Sequence, residues 1–541
     1  MMSTILYLNG NMYTMDAGQP RAQAMAIDGT SGSIVAVGSN DEVRRVGGRA
    51  VELVDLRGKT VLPGFIDAHI HLLSTAYRAY YIDAIGCTSE DEVAEMVRER
   101  AAQTPPGRWI VGGQWDKNLW PGEQFPGKAS LDAAAPNHPV ALWSKDGHLL
   151  WVNVLALQRA GITAETPDPA NGAILRDGSG EPTGILQEHA ATNLVYKVID
   201  NNSDPALTRL LVQRSIRELQ KKGITTIHDI EDVDALSLFQ TLRDEGELGV
   251  RVQMILPRQK LPELRANGIQ HAFVDDMLRL GGIKIFADGT LGSQTAAMLE
   301  GFEGSPDNYG ILTLSEEAMN ETVRDAAELG ISIAIHAIGD RAAHVALNSI
   351  ERAQQHLADS TDSRHNMSSL RYRLEHVQLI TREDLERMRR LGVVASVQPF
   401  HAVADRDIAE RYWGKRSRRA YAYNTMRQMD IPLALGSDAP VETFDPLRIL
   451  YAATMRRADT TPQRPPWLPD QALPVIEALW GYTQGAAYAG GEEHRKGSLS
   501  VGKLGDAVVL CENILDVPQE KMVENGVQAT ILGGKVVYGE V

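Results

Sequence analysis

Leu62-Pro63-Gly64-Phe65-Ile66-Asp67-Ala68-His69-Ile70-His71 is a strand-like apolar run that ends on two histidines, two residues apart. Alternate residues of a strand point to the same side, so His69 and His71 face one way at its C-terminal end. Seven more strand-like runs follow, at 224–229, 250–256, 282–288, 331–336, 372–377, 393–398 and 432–438. Amphipathic helical stretches such as 316–329 and 381–391 separate them, and several stop at a glycine, as at Gly223, Gly330 and Gly392. Eight strands alternating with helices read as an α/β fold, a (β/α)8 TIM-like barrel, with an open doubly wound sheet as the alternative.

Outward from the barrel, both chain ends change character. Residues 1–60 read as short strands broken by turns such as Asn9-Gly10, and residues 495–541 repeat the pattern around Gly533-Gly534. Neither piece buries much alone. The expectation is one small β-sandwich built from 1–60 plus 495–541, with the barrel at 61–494. The gap between the first two barrel strands is too long for one helix. It carries strand-like runs at 109–114 and 139–143 and a hairpin at 173–186. It reads as an inserted subdomain at about 75–205, expected on the barrel mouth.

The chain has 541 residues, 54 basic and 70 acidic, for a net charge of −16. That balance argues against nucleic acid and against an anionic membrane surface as partners. The one dense basic run, Lys415-Arg416-Ser417-Arg418-Arg419, reads as a solvated face. Cys87 and Cys511 are the only cysteines, too few for a disulfide framework or a thiolate zinc site. Any metal must therefore sit on imidazoles and carboxylates. No apolar stretch approaches the ~18 residues of a membrane helix, and the start lacks a signal-peptide pattern, so the expected location is cytoplasmic.

Three more polar residues close strand-like runs: His336, His376 and Asp438. In a barrel the C-terminal strand ends line the active site. Uncompensated buried polar groups cost several kcal/mol, so convergence of these positions with His69 and His71 points to a divalent metal site. Lys284 lies among apolar residues within its strand. It is either a carboxylated lysine offering an anionic oxygen to metal, or a snorkelling lysine, or one paired with Asp288.

Val61 to His71 resembles the first-strand signature of the amidohydrolase superfamily. Further matching pieces are Ser144-Lys145-Asp146-Gly147-His148, Lys284 to Ser293, and His336-Ala337-Ile338-Gly339-Asp340. They continue with Glu375-His376-Val377-Gln378, Gly436-Ser437-Asp438-Ala439-Pro440 and Gly497 to Ala507. In order and extent the chain is similar to the YtcJ-like group (amidohydrolase 3), which includes N-substituted formamide deformylases. That resemblance implies a metal-bearing barrel with a β-sandwich formed by both chain ends. It implies His69 and His71 on a buried metal, Lys284 as carboxylated bridge, His336 and His376 on a second metal, and Asp438 as ligand and general base. The implied metal is zinc, as one or two ions.

The function expected is hydrolysis of a non-peptide C–N bond, amide or formamide-like, by metal-activated water, with Asp438 as base and then acid. Left open are the same site hydrolysing an ester, lactone or other electrophile, and a non-catalytic regulatory homologue. Substrate-contact candidates are Trp115, His148, Asp288 and Arg341. Glu188, His228 and His401 are weighed beside them against hydrogen-bonded structural roles, and core packing is the other reading of Trp115. The expected partner is a small-molecule substrate, with a homodimer as the family's mild expectation.

Overall fold

The computed structural model describes residues 4–46, 51–145, 148–169, 172–199, 205–269, 275–359 and 370–541. Asp146 and Gly147 of the matched loop lie outside the described residues.

Eight parallel strands form one sheet in strict chain order: Phe65–Ile70, Ile224–Ile230, Arg251–Pro257, Leu278–Phe286, Ile333–Ala337, Tyr372–His376, Val394–Val397 and Leu433–Leu435. Sequential neighbours throughout are what right-handed strand–helix–strand repeats produce. The last strand returns to the first: Ile70 bridges Ala439 in parallel. His71 N donates to Ala439 O at 2.9 Å, and Asp438 N donates to His69 O at 2.7 Å. The sheet is thus a (β/α)8 barrel, and the seam of its closure runs through the His-Ile-His and Ser-Asp-Ala motifs.

Two side chains tighten that seam. Asp67 Oδ1 accepts from Ser437 N at 2.9 Å and from His69 N at 3.1 Å. Gly436 lies so close that a Cβ there would fall 2.6 Å from His69 N and 2.9 Å from Asp67 Oδ1. No other residue fits without a shift. Small residues elsewhere do similar service, as Ala486, Ala487 and Ala489 pack against Ile66, Ala68, Val394 and Ala434 in one buried cluster.

The opening run is two strands, a difference from its reading as one. Thr60–Pro63 pairs antiparallel with Ala507–Leu510 and parallel with Asn11–Tyr13, and only Phe65–Ile70 enters the barrel. Gly64 makes the switch. A Cβ there would meet Thr225 Oγ1 at 2.2 Å, and its N–H leaves the barrel ladder for Asp506 O at 3.0 Å.

Strands from both ends share a six-stranded sheet, ordered Lys535–Gly539, Val527–Leu532, Ala507–Leu510, Thr60–Pro63, Asn11–Tyr13, Arg21–Ala22. A four-stranded sheet holds Ile34–Gly38, Ala24–Ile27, Thr4–Leu8 and Val51–Asp55. Tyr7, Met25, Ile27 and Ile34 of the second sheet pack with Met12, Val61, Val509 and Ile531 of the first in one buried cluster.

Residues Ser74–Val212 form a separate compact unit. Its sheet of six strands runs Ala173–Arg176, Pro182–Gln187, Leu149–Val152, Val140–Ser144, Ile110–Trp115, Ile82–Asp83. Trp115, Trp120 and Trp151 pack edge to face or tilted in its core, with ring centroids 5.8 to 6.2 Å apart. Among the described residues no helix is long and apolar enough to cross a membrane.

Candidate metal centre

Period-two geometry sends Asp67, His69 and His71 to one side of the first barrel strand. Asp67 is spent on the seam. His69 Nδ1 lies 2.7 Å from Glu375 Oε2, and His71 Nδ1 lies 2.7 Å from Ile230 O. A carbonyl and an ionised carboxylate only accept, so each Nδ1 carries the hydrogen and each Nε2 keeps a lone pair. Both lone pairs meet one oxygen. Asp438 Oδ1 is 3.1 Å from His71 Nε2 and 3.4 Å from His69 Nε2.

Two neutral imidazole lone pairs and a carboxylate oxygen cannot hydrogen-bond one another without a proton or a cation between them. This donor set is what a divalent metal takes. The side chains of His69, His71 and Asp438 meet within one ion's reach. A second set shares the same carboxylate: His376, His401 and Asp438. His376 Nδ1 donates to Gln398 Oε1 at 2.8 Å, which leaves its Nε2 lone pair free. His401 Nε2 is buried without a hydrogen bond and lies 3.6 Å from Asp438 Oδ2. The residues present fit a cation.

The rings form a connected group. His69 and His71 centroids are 5.5 Å apart, His69 and His376 5.1 Å, His336 and His376 4.5 Å, and His376 and His401 5.9 Å. His336 stands beside the two donor sets and not within them. Its Nε2 donates to Gly289 O at 3.0 Å, so its free lone pair is on Nδ1. Lys284 is 2% exposed, with Nζ 5.0 Å from the Phe286 ring and no hydrogen bond or ion pair to the described residues.

Electrostatics keep His69, His336 and Asp438 in ligating form, while His71 holds a proton that a cation would displace. Burial, reinforced by the Lys284 charge, lowers His69 to about 4 and His336 to about 3, so both are neutral at pH 7. Burial also opposes a charged His71, but Asp438 outweighs it and raises that pKa above 6.5. Burial pushes the Asp438 carboxyl up, but His69, His71, His376 and His401 pull it down further, and it stays ionised. Burial lowers Lys284 to about 8 against the pull of Glu375 and Asp438.

Asp438 and His376 both hold positive φ, at 59° and 75°. A side-chain-bearing residue pays about 1–3 kcal/mol for this, and such strain gathers at functional sites. Both residues sit at the C-terminal end of barrel strands, still tied into the barrel's backbone pairing.

Arg373 and Glu375, neither of which had been given a role, build the layer beneath. Both are nearly fully buried. Arg373 grips Glu375 through Nε at 2.7 Å and Nη2 at 3.0 Å, and also donates to Ala68 O at 2.6 Å and Ser396 Oγ at 3.0 Å. Its Nη1 donates to His228 Nδ1 at 2.9 Å, which gives His228 a structural hydrogen bond. Burial raises the Glu375 carboxyl, but Arg373 and His69 more than offset this and hold it well below the usual range. The sequence signal was the alternation Arg371-Tyr372-Arg373-Leu374-Glu375-His376, charges at every second place of a buried strand.

The substrate candidates fall in different places. Asp288 is 2% exposed and accepts from the backbone N–H groups of Ala297, Ile338 and Gly339 at 2.8 to 3.1 Å. Burial pushes its carboxyl up to about 7 against those bonds, and its Oδ1 lies 3.5 Å from His336 Nε2. Its work is to hold the loop around His336. The Arg341 side chain is exposed at the start of helix Asp340–Asp359. Trp115 and His148 belong to the Ser74–Val212 unit. Trp115 is 1% exposed and its indole N–H donates to Leu142 O at 2.8 Å, as a core side chain does. His148 is exposed and ion-paired with Glu188 at 3.0 Å.

Comparison with known proteins agrees with this geometry. The model of the amidohydrolase family matches residues 52–538. Protein LONG AFTER FAR-RED 3 of Arabidopsis thaliana is 33% identical over 99% of this chain and 92% of its own length. The putative amidohydrolase YtcJ of Bacillus subtilis is 30% identical over 98% of this chain and 99% of its own. An N-substituted formamide deformylase of Arthrobacter pascens is 28% identical over 99% and 98%. Among solved structures, an uncharacterised metal-dependent hydrolase of Pyrococcus furiosus superposes with a TM-score of 0.78 at 26% identity, covering 95% of this chain and 100% of that one.

Proposed function

This chain belongs to the amidohydrolase family and is a hydrolase, and we propose that it cleaves a non-peptide C–N bond of amide or formamide type with a divalent metal, zinc in the first instance. The observation that carries the proposal is the convergence of His69 Nε2, His71 Nε2 and Asp438 Oδ1, a donor set that needs a proton or a cation at its centre. The full match to an N-substituted formamide deformylase supports the choice of bond.

His69, His71 and Asp438 would hold one cation, and His376 and His401 a second that shares Asp438, with His336 beside them. Bound there, a divalent metal supplies Lewis acidity, polarising a carbonyl and making water a nucleophile near pH 7. The protein supplies the rest. Glu375 and Ile230 O fix the ring orientation and tautomer of the two leading histidines. Asp438, ionised, accepts the proton of the attacking water as its oxygen bonds to the carbonyl carbon. The carboxylic acid so formed gives that proton to the leaving nitrogen as the C–N bond breaks. Lys284, with its pKa near 8, has a neutral amine fraction that can add to CO2, releasing one proton and leaving a carbamate oxygen as ligand.

The test is a panel of N-substituted formamides, amides, esters and lactones, assayed with the metal-loaded enzyme and with Asp438→Asn. The expected result is preferred turnover of a formamide or amide, and a drop in kcat of about 100-fold or more in the variant. Preferred turnover of an ester or lactone contradicts the proposed bond. Unchanged kcat in Asp438→Asn contradicts the proposed base.

A further inference from the structure

The Ser74–Val212 unit holds a cavity of about 440 Å3 whose lining residues all belong to that unit. Ile82–Asp83, Ile110–Trp115 and Val140–Ser144 run parallel in its sheet. The carboxyl-terminal ends of the last two strands line the cavity, with residues from helices Leu72–Tyr80 and Glu188–Tyr196. Crevices at strand carboxyl ends are where open α/β sheets take their ligands. The volume is that of a small-molecule site.

Three polar side chains line it with nothing to bind. The half-buried Arg78 guanidinium, the exposed Lys145 ammonium and the Gln114 amide make no hydrogen bond or ion pair to the described residues. Gln114 is placed there at a cost. Strand pairing shifts register between Gly113 and Trp115, so Gln114 is the extra residue of a bulge, and it holds a φ of 68°. A bulge re-aims a side chain, and positive φ costs a side-chain-bearing residue about 1–3 kcal/mol.

The lining also says what would fit. No acidic residue among the described residues lines the cavity, so two cations stand unopposed in a chain of net charge −16. That favours an anion. The planar guanidinium fork matches a carboxylate. Tyr81, Trp143 and Tyr196 supply aromatic wall, with the Trp143 and Tyr196 rings 6.3 Å apart and inclined at 62°. Such walls take a flat apolar body.

We propose that this cavity binds an aromatic carboxylate, its charge on Arg78 with Lys145 and Gln114 beside it, and its ring against Trp143 and Tyr196. The inference rests on this unit alone and holds whichever bond the metal centre cleaves.

The test uses the full metal-loaded protein with 4-bromobenzoate as probe. Crystals should show an anomalous bromine peak within about 5 Å of the Trp143 or Tyr196 ring. Calorimetry should show one saturable site that neutral 4-bromobenzamide and inorganic phosphate each fill at least about 10-fold more weakly. Arg78→Gln should weaken binding at least about 10-fold, whereas Asp438→Asn should leave it unchanged. If Arg78→Gln does not fold, Lys145→Gln is read in its place, with an expected weakening of about 3-fold. No peak in the cavity, or a peak at the metal centre alone, overturns the proposal. So does equal affinity for the amide or for phosphate, or unchanged affinity in the variant that is read. A peak with no calorimetric site below about 1 mM marks binding at crystal concentration only, and overturns it as well.

Discussion

A neutral imidazole whose Nδ1 hydrogen is engaged has one lone pair left, and His69 and His71 both turn it to Asp438 Oδ1. In the metal-free protein a proton must serve in place of a cation. The raised pKa of His71 says where that proton sits. His71 is protonated below its raised pKa, and the stability it draws from Asp438 is fully present below 6.5 and lost as pH rises through the raised pKa. Metal binding should therefore release about one proton at pH 6, and fewer as pH rises. Calorimetry in buffers of different ionisation enthalpy measures this. Equal enthalpies in all buffers at pH 6 would contradict the tautomers assigned here. At this scale the sequence was legible where residue type limits chemistry: five His and Asp residues at strand ends and a lysine within an apolar strand. Arg373 and Glu375 were not, because a buried ion pair and a solvated one look alike in a string of letters.

At the scale of elements, closure of the barrel and construction of the site are one event. The ends of the first and last strands carry His-x-His and Ser-Asp, and the bonds that join them run from Asp438 N to His69 O, His71 N to Ala439 O and Ser437 N to Asp67 Oδ1. Gly436 permits that approach. Gly436→Ala should cost about 1–3 kcal/mol of stability, as overpacking does, and lower bound metal with it. Urea unfolding and elemental analysis on the same sample read both. Lost metal with unchanged stability, or the reverse, would separate what the seam joins. Strand order was readable because each barrel strand is an apolar run closed by a polar residue. The division at Gly64 was not, because both halves are equally apolar and only the partners across Asp506 and Thr225 tell them apart.

For the whole molecule, length alone does not say which residues belong together. Pairing of Thr60–Pro63 with Ala507–Leu510 ties residues some 450 positions apart just where the chain enters the barrel. Arg251 of the third barrel strand holds Asp506 through Nε at 2.7 Å and Nη2 at 2.8 Å, and Asp506 also accepts from Gly533 N at 2.8 Å. Both partners of that pair are about 5% exposed. Removing the carboxylate leaves a buried guanidinium unpaired, so Asp506→Asn should destabilise the protein by about 3–5 kcal/mol, measured by urea unfolding. A loss below about 1 kcal/mol would make the terminal sheet a passive attachment. Such contacts are invisible in sequence because no pattern links Arg251 with Asp506 before the fold does.

The proposed chemistry needs a cation between His69, His71 and Asp438 for turnover. It is tested most directly by stripping the protein of metal with a chelator, confirming the loss by elemental analysis, and measuring hydrolysis of an N-substituted formamide before and after a divalent cation is restored. Activity should fall at least about 100-fold and return with one or two equivalents of metal per chain. Turnover that is unchanged in the metal-free protein would contradict it.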